Sequence, residues 1–309
     1  MVSYIFGRLL QTVLVLLLMT AVIFMLARLG GDPVERLLPD TATEQDRIEL
    51  TVMLGLDKPL PEQYWIWLKS VSHGDFGKSF LNSIPVIDYI KVHAPNTLRL
   101  SLYAILLTFL FGLPLGILAG VMKGKPLDIL ARSLAIFGQS APTFWLGLML
   151  MYFFAIKWPI FPIVGWMGGI HGAFLPSITL CLTMLPGVMR LTRSAMIEAL
   201  ESGYVTFARI KGLSEAAVIF KHALKNALIP AVTFSGMYFA ILLSGVVVVE
   251  VVFAWPGIGL LTFKAATGGD YPVLQGAVFL VTFATILTNL IVDILYVYID
   301  PRIRYWKGE

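Results

Sequence analysis

The 309-residue chain has little of what soluble domains and metal enzymes are built from. It has one cysteine, Cys181, so no intrachain disulfide can form. Four histidines and one cysteine are too few and too scattered for a metal cluster. Charged residues make up 14%, against about 25% in soluble domains. With so few charges, the net +4 makes no basic face for nucleic acid. There is no low-complexity run and no short-period repeat. What fills the chain is apolar: 58% hydrophobic residues and a mean hydropathy of +0.82. That excludes an ordinary soluble domain and a disordered chain.

A bilayer core needs roughly 20 apolar helical residues. Six stretches qualify: Leu9 to Ala27, Thr97 to Met122, Ala131 to Ile156, Ala173 to Leu191, Leu228 to Phe253 and Gly276 to Ile299. The fourth is expected to be interrupted by Pro176 and Pro186. Leu9 to Ala27 is too long for a signal-peptide core, and Arg28 to Pro33 offers no small-x-small cleavage site. Trp158 to Gly169 is short and broken by Pro159 and Pro162, and reads as an interfacial loop. The expected fold is all-α, a polytopic membrane protein with six transmembrane helices.

Charge orients the helices. With both termini cytoplasmic, the inner segments hold 13 basic and 6 acidic residues. The loop Gly30 to Asn96 then lies outside, with 6 basic and 10 acidic residues. The positive-inside rule favours that arrangement. The expected organisation is residues 1–29 as the inner N-terminus and first span, 30–96 as an external subdomain, and 97–191 as spans two to four. Residues 192–227 form a cytoplasmic segment, and 228–309 form spans five and six with a short tail. In the external subdomain, Tyr64, Trp65 and Trp67 suit the membrane interface.

The cytoplasmic segment carries the clearest local signals. Ser194 to Ile210 has helical periodicity, with Ile197, Leu200, Tyr204, Phe207 and Ile210 roughly on one side. Gly212 ends it as a C-terminal glycine would. Ser214 caps a second short helix through Leu224, and Glu215 in its first turn suits the helix dipole. Such a pair cannot bury its apolar face alone. It can pack on the bundle's own end, lie on lipid, or dock a soluble partner.

Other features are weaker. Gly74 to Ser79 ends like a phosphate-binding loop, but Ser72 stands where the pattern needs glycine. Gly112, Gly116 and Gly120 repeat every four residues and suit close helix packing. Arg28, Arg99 and Glu250 fall near span ends and are expected to snorkel or face polar surroundings. Asp293 lies deeper, with Asn289 one turn earlier on the same face. This possible intramembrane polar site is either functional or an ion-pair partner for an inner-end cation such as Arg8.

The stretch Tyr204-Val205-Thr206-Phe207-Ala208-Arg209-Ile210-Lys211-Gly212-Leu213-Ser214, followed by His222 to Pro230, resembles the cytoplasmic signature of ABC importer permeases. The likeness is to the dipeptide, oligopeptide and nickel branch, and it runs along nearly the whole chain. It includes Gly31-Asp32-Pro33, Leu54 to Leu60, Gly74-Asp75-Phe76-Gly77, Pro142-Thr143-Phe144-Trp145, Phe253 to Gly259, Asp270-Tyr271-Pro272 and Asp300 to Arg304. Thr206-Phe207-Ala208 stands where the general signature has Glu-Ala-Ala, and Lys225 where it has proline. Gly31 stands where the branch commonly has proline.

The resemblance implies that the cytoplasmic pair is a coupling helix, with Tyr204, Ala208, Arg209, Lys211, Gly212, Leu213 and Ser214 seated on an ATPase subunit. It implies a second homologous permease forming a heterodimer, two ATPase subunits holding ATP and Mg, an external substrate-binding protein, and a bacterial inner-membrane location. No cofactor is expected on this chain. The cargo would be di- or oligopeptides, with nickel, metal chelates or glutathione as alternatives. A membrane-embedded enzyme would need converging intramembrane acids, a Ser–His pair or a metal site, and the spans lack them. A channel or membrane scaffold is a third possibility. Asp293→Asn tests the polar site: transport unchanged at normal abundance removes Asp293 from the mechanism.

Overall fold

The computed structural model describes residues 2–29, 34, 38, 41–166 and 169–299. Gly31-Asp32-Pro33 and Asp300 to Arg304 lie outside the described residues. Every regular element among the described residues is helical. Among the described residues, five helices are long and apolar enough to span a bilayer, or six if one bent pair counts as a single span. The chain forms two compact units, residues 1–97 with 256–287, and residues 98–255 with 288–309.

The first unit opens with α1, Val2–Leu29. Its outward leucines, Leu10, Leu14 and Leu18, are half or more exposed, as a lipid-facing helix requires. Helix α2, Glu44–Met53, starts at a capping box in which Thr43 and Asp46 bond each other's backbone N–H. The Thr43 hydroxyl also donates to the Asp46 carboxylate at 2.7 Å, and that bond, with the one from Thr43 N–H, holds the exposed carboxyl below its ordinary pKa. Helix α3, Leu60–Ser72, carries the aromatic cluster. Tyr64 and Trp67 pack on Phe24 of α1, with ring centroids 5.5 and 6.0 Å away, and the Tyr64 hydroxyl hydrogen-bonds Thr20 at 2.9 Å. Only Trp65 is turned out, at 66% exposure. Two of the three aromatics expected at the interface are therefore internal packing.

Helix α4, Val86–Val121, begins eleven residues before the expected span. Its early turns share a core with α12, Ile258–Gly268, and with the start of α13, Tyr271–Ile299. The Asn96 side-chain amide donates to the Pro256 carbonyl at 3.0 Å, and Ile258 N–H donates to the Thr97 hydroxyl at 2.8 Å. The turn before α4 is tied to the start of α13 by the Asp270 carboxylate, which accepts from the Ser79 hydroxyl and from Phe80 N–H. Phe76, within Gly74 to Gly77, packs on the same core as Val273, so that piece of the sequence signature and Asp270 to Pro272 meet in one local structure.

The second unit is arranged around α7, Ile170–Leu200. Two-thirds of its most apolar window is buried, against a third or less for the other long helices. Pro176 and Pro186 do not interrupt it, contrary to expectation. Each proline removes one intrahelical donor, a loss that transmembrane helices tolerate when neighbours enclose the freed carbonyl. Here both prolines are buried in the bundle.

The third expected span is broken. Helix α5, Pro126–Ser140, and helix α6, Thr143–Met151, meet at a bend of 103°. Pro142 drives Ala141 to an extended ψ of 132°, which ends α5. A π-turn, Tyr152–Lys157, closes α6. After α7 come α8, Gly203–Ile210, α9, Glu215–Ala217, a π-turn Val218–Ala223, α10, Leu224–Gly245, and α11, Val247–Val252. The main core joins Leu100 and Ala104 of α4, Leu175, Leu180 and Met184 of α7, Leu242 of α10, and Phe253 and Trp255. Glu250 of α11 is fully buried rather than snorkelling, because α11 packs inward on α6 and α7.

The glycine repeat faces α7. A Cβ on Gly112 would sit 3.3 Å from Val188, and one on Gly120 would sit 2.7 Å from Met196. At Gly116 it would sit 2.6 Å from the Thr192 side chain and 2.7 Å from the Met189 carbonyl. The obstacle there is partly backbone and cannot move aside. Gly116→Val is expected to cost about 1–3 kcal/mol or more through overpacking. Thermal melting in detergent checks it against Gly7→Ala, where a Cβ meets nothing within 4 Å.

Candidate functional site: the elbow after the central helix

The periodic run Ser194 to Ile210 is not one helix. Helix α7 ends at Leu200, Glu201 caps it, and Ser202 turns extended at ψ 152° to start α8. The Ser202 hydroxyl donates back to the Ala199 carbonyl. That break changes which face is buried. Val205 and Ala208 point inward onto Met196, Ala199, Val218, Ala223 and Ala227. Tyr204, Phe207 and Ile210 point out, at 43%, 58% and 77% exposure. The large apolar side chains expected to share a face with Ile197 and Leu200 form the exposed side instead. Small residues were sorted inward because α8 lies close against its neighbours.

The elbow itself is tightly specified. Gly212 has φ +79°. Its N–H donates to the Arg209 carbonyl at 2.9 Å, and Leu213 N–H donates to the Ala208 carbonyl at 3.3 Å. These two bonds make a Schellman motif, which needs a left-handed residue where Gly212 stands. Two residues later the Ser214 hydroxyl accepts from Ala217 N–H at 3.4 Å and caps α9. Arg209 bridges the turn, donating to both Glu215 oxygens at 2.8 and 3.3 Å. That bonding raises the Arg209 pKa above its ordinary value. Lys211 sits 4.7 Å above the Phe207 ring, and the Asn226 amide donates to the Tyr204 hydroxyl at 3.0 Å.

All seven residues singled out in the sequence gather here, and six of them are largely exposed. Ala208 is the exception, buried at the hinge. The second helix is not a separate short piece. From Glu215 it runs on through the π-turn into α10, as one long candidate span to Leu243. The elbow therefore joins α8 directly to a membrane helix. Leu213 and Phe220 extend the exposed apolar surface, at 40% and 65%.

An ionic cluster nearby was not read from the sequence. Asp128 is fully buried and accepts from Arg193 of α7 at 2.6 and 2.9 Å in a bidentate pair. It also accepts from Gly124 N–H at 2.9 Å and pairs with Arg132 at 3.3 Å. Lys123 of the same turn bonds Glu201 at 2.7 Å, at the break between α7 and α8. The turn joining α4 to α5 is thus tied to α7 just before the elbow. Sequence spacing gave no sign of the pair, because Asp128 and Arg193 lie 65 residues apart.

The remaining candidates lie elsewhere. Asn289 is exposed and Asp293 half-buried, one turn apart on α13. Among the described residues no group of three or more His, Cys, Asp or Glu side chains could hold a metal ion. Asp128→Asn is expected to lower the melting temperature by roughly 5 °C or more, since it removes one member of a buried pair. Lys123→Ala, at an exposed pair, is expected to change it little, and the same melting series measures both.

Comparison with known proteins agrees with this architecture. Residues 112–305 match the family model described as binding-protein-dependent transport system inner membrane component, and residues 1–101 match the model of that component's N-terminal region. The glutathione transport system permease protein GsiC of Salmonella typhimurium is 39% identical over 306 residues, covering 99% of this chain and all of that one. A probable peptide ABC transporter permease protein of Sinorhizobium fredii is 37% identical over 310 residues, covering 98% and 99%. Among solved structures, an inward-facing MetNI methionine ABC transporter shares the fold, with a TM-score of 0.58 and 17% identity, over 69% of this chain and 96% of that one. The chain belongs to the family of binding-protein-dependent transport system inner membrane components, as a multi-pass permease subunit of an ABC importer whose ATP hydrolysis lies on partner subunits.

Proposed function

We propose that this permease carries short peptides, glutathione included, across the inner membrane. It does so paired with a second, homologous permease. Two ATPase subunits holding ATP and Mg drive it, and an external binding protein delivers the cargo. Both termini face the cytoplasm, which the positive-inside charge bias supports. Glutathione is itself a short peptide, so the cargoes named for the glutathione and peptide relatives fall within one class.

One observation carries the coupling role. Tyr204, Phe207, Ile210 and Leu213 form an exposed apolar ridge on an elbow stiffened by the Schellman turn, the Ser214 cap and the Arg209–Glu215 clamp. A ridge that apolar is stabilised by a partner that covers it. The elbow is continuous with α10 on one side and one short helix from α7 on the other. A partner that moves the elbow therefore moves two membrane helices. Cargo crosses by alternating access, with no covalent chemistry on this chain.

Gly212→Val places a β-branched side chain at φ +79°. In cells carrying the intact importer, uptake of labelled glutathione and of a labelled tripeptide is expected to fall to background. The level of the chain in the membrane is expected to hold. Uptake at the wild-type rate would overturn the coupling role.

A further inference from the structure

The second unit holds a cavity of about 400 Å³ that the elbow does not use. Arg99 and Tyr103, one turn apart on α4, form one wall. Trp166, Gly169 and Ile170 form another, and Trp255 closes it. Trp255 is 3% exposed and packed in the main core, so that wall is rigid. Trp166 is held beside it, ring edge to ring face at 5.8 Å and 76°. The residue before it fixes the backbone, since Gly165 N–H donates to the Phe253 carbonyl at 2.9 Å. Arg99 is exposed and pairs with no carboxylate among the described residues. An exposed guanidinium therefore lines the same cavity as three aromatic rings. It suits one kind of visitor: a single anionic group carried on an apolar or amide body. Arg99 would hold the anion through paired hydrogen bonds, and the indoles would cover the body. The volume falls within the roughly 300–1,000 Å³ of pockets that hold small ligands, so the end of a peptide has room in it.

We propose that the cavity of Arg99, Tyr103, Trp166 and Trp255 binds the carboxylate-bearing end of a peptide cargo, with Arg99 as the residue that selects the free acid. This rests on the peptide reading of the cargo but not on the coupling role of the elbow. A phosphate-bearing lipid headgroup presents the same chemistry, and the test separates the two sources.

The purified full chain in phosphatidylcholine nanodiscs reports through its tryptophan fluorescence. It is titrated with alanyl-phenylalanine, with the C-terminal amide of that dipeptide, and with glutathione. A parallel set of discs contains phosphatidylglycerol. The free acids are expected to bind at least roughly tenfold more tightly than the amide, the worth of one charge-assisted contact. Arg99→Gln is expected to abolish that preference and Arg99→Lys to keep part of it. Trp166→Phe is expected to reduce the signal while the acid preference remains. Equal binding of acid and amide, or an unchanged preference in Arg99→Gln, would overturn the site. An Arg99-dependent response to phosphatidylglycerol with none to the peptides would overturn the cargo assignment. Uptake by the intact importer, measured in parallel, keeps the two readings apart. No uptake of any peptide by the wild type sinks the peptide reading. Peptide uptake with the same acid-to-amide ratio in Arg99→Gln sinks only the cavity.

Discussion

The second unit depends on the close approach of α4 to α7. In a bilayer the lipid tails are as apolar as leucine, so burial alone does not bring helices together. What does is van der Waals contact at short range, and that needs small residues where backbones meet. Gly112, Gly116 and Gly120 supply it along three successive turns. The other packing surfaces of α7 are taken by α5, α6 and α10. A helix held on so many sides tolerates two internal prolines without breaking. It also transmits displacement along its length, because it has little room to bend.

The inner end of that arrangement is polar rather than apolar. Asp128 is buried among Gly124 N–H, Arg132 and Arg193, and Lys123 reaches Glu201 where α7 gives way to α8. A buried ion pair of this kind is weak evidence for net stability, because desolvation offsets much of the attraction. Its effect is geometric. It fixes the angle at which the α4–α5 turn meets α7, just before the elbow leaves the bundle. The elbow then has two anchored sides, α7 with its ionic ties and α10 as a membrane helix. Between them the Schellman turn and the Arg209–Glu215 clamp leave few ways for the turn itself to deform.

Much of this was legible in the sequence. Apolar runs located the long helices, because only a continuous helix satisfies its backbone in lipid. Gly212 and Ser214 were legible because turn and cap chemistry is local. The failures share a cause. Pro176 and Pro186 read as breaks, but whether a proline breaks a helix depends on neighbours elsewhere in the chain. The period through Tyr204, Phe207 and Ile210 marked an amphipathic helix. It did not mark which side is covered, since Val205 and Ala208 were buried by segments from α7 and beyond the elbow. Asp128 looked like one more loop acid until its partner, 65 residues later, came beside it. The bend at Pro142 was available from the rule that the residue before proline avoids the helix, although its size was not.

We propose that the exposed ridge of α8 meets the ATPase subunit. Cys181 is fully buried, so a cysteine introduced at the surface reacts against a silent background. Ile210 and Ile170 are equally exposed, at 77%. Ile170 opens α7, and that helix of 31 residues is about 45 Å long, so the two positions sit far apart. The measurement is cysteine crosslinking in membranes carrying the intact importer, with Ile210→Cys and Ile170→Cys compared. A crosslink to the ATPase subunit is expected from position 210 and none from position 170. A crosslink from position 170, or none from position 210 in an active importer, would contradict it.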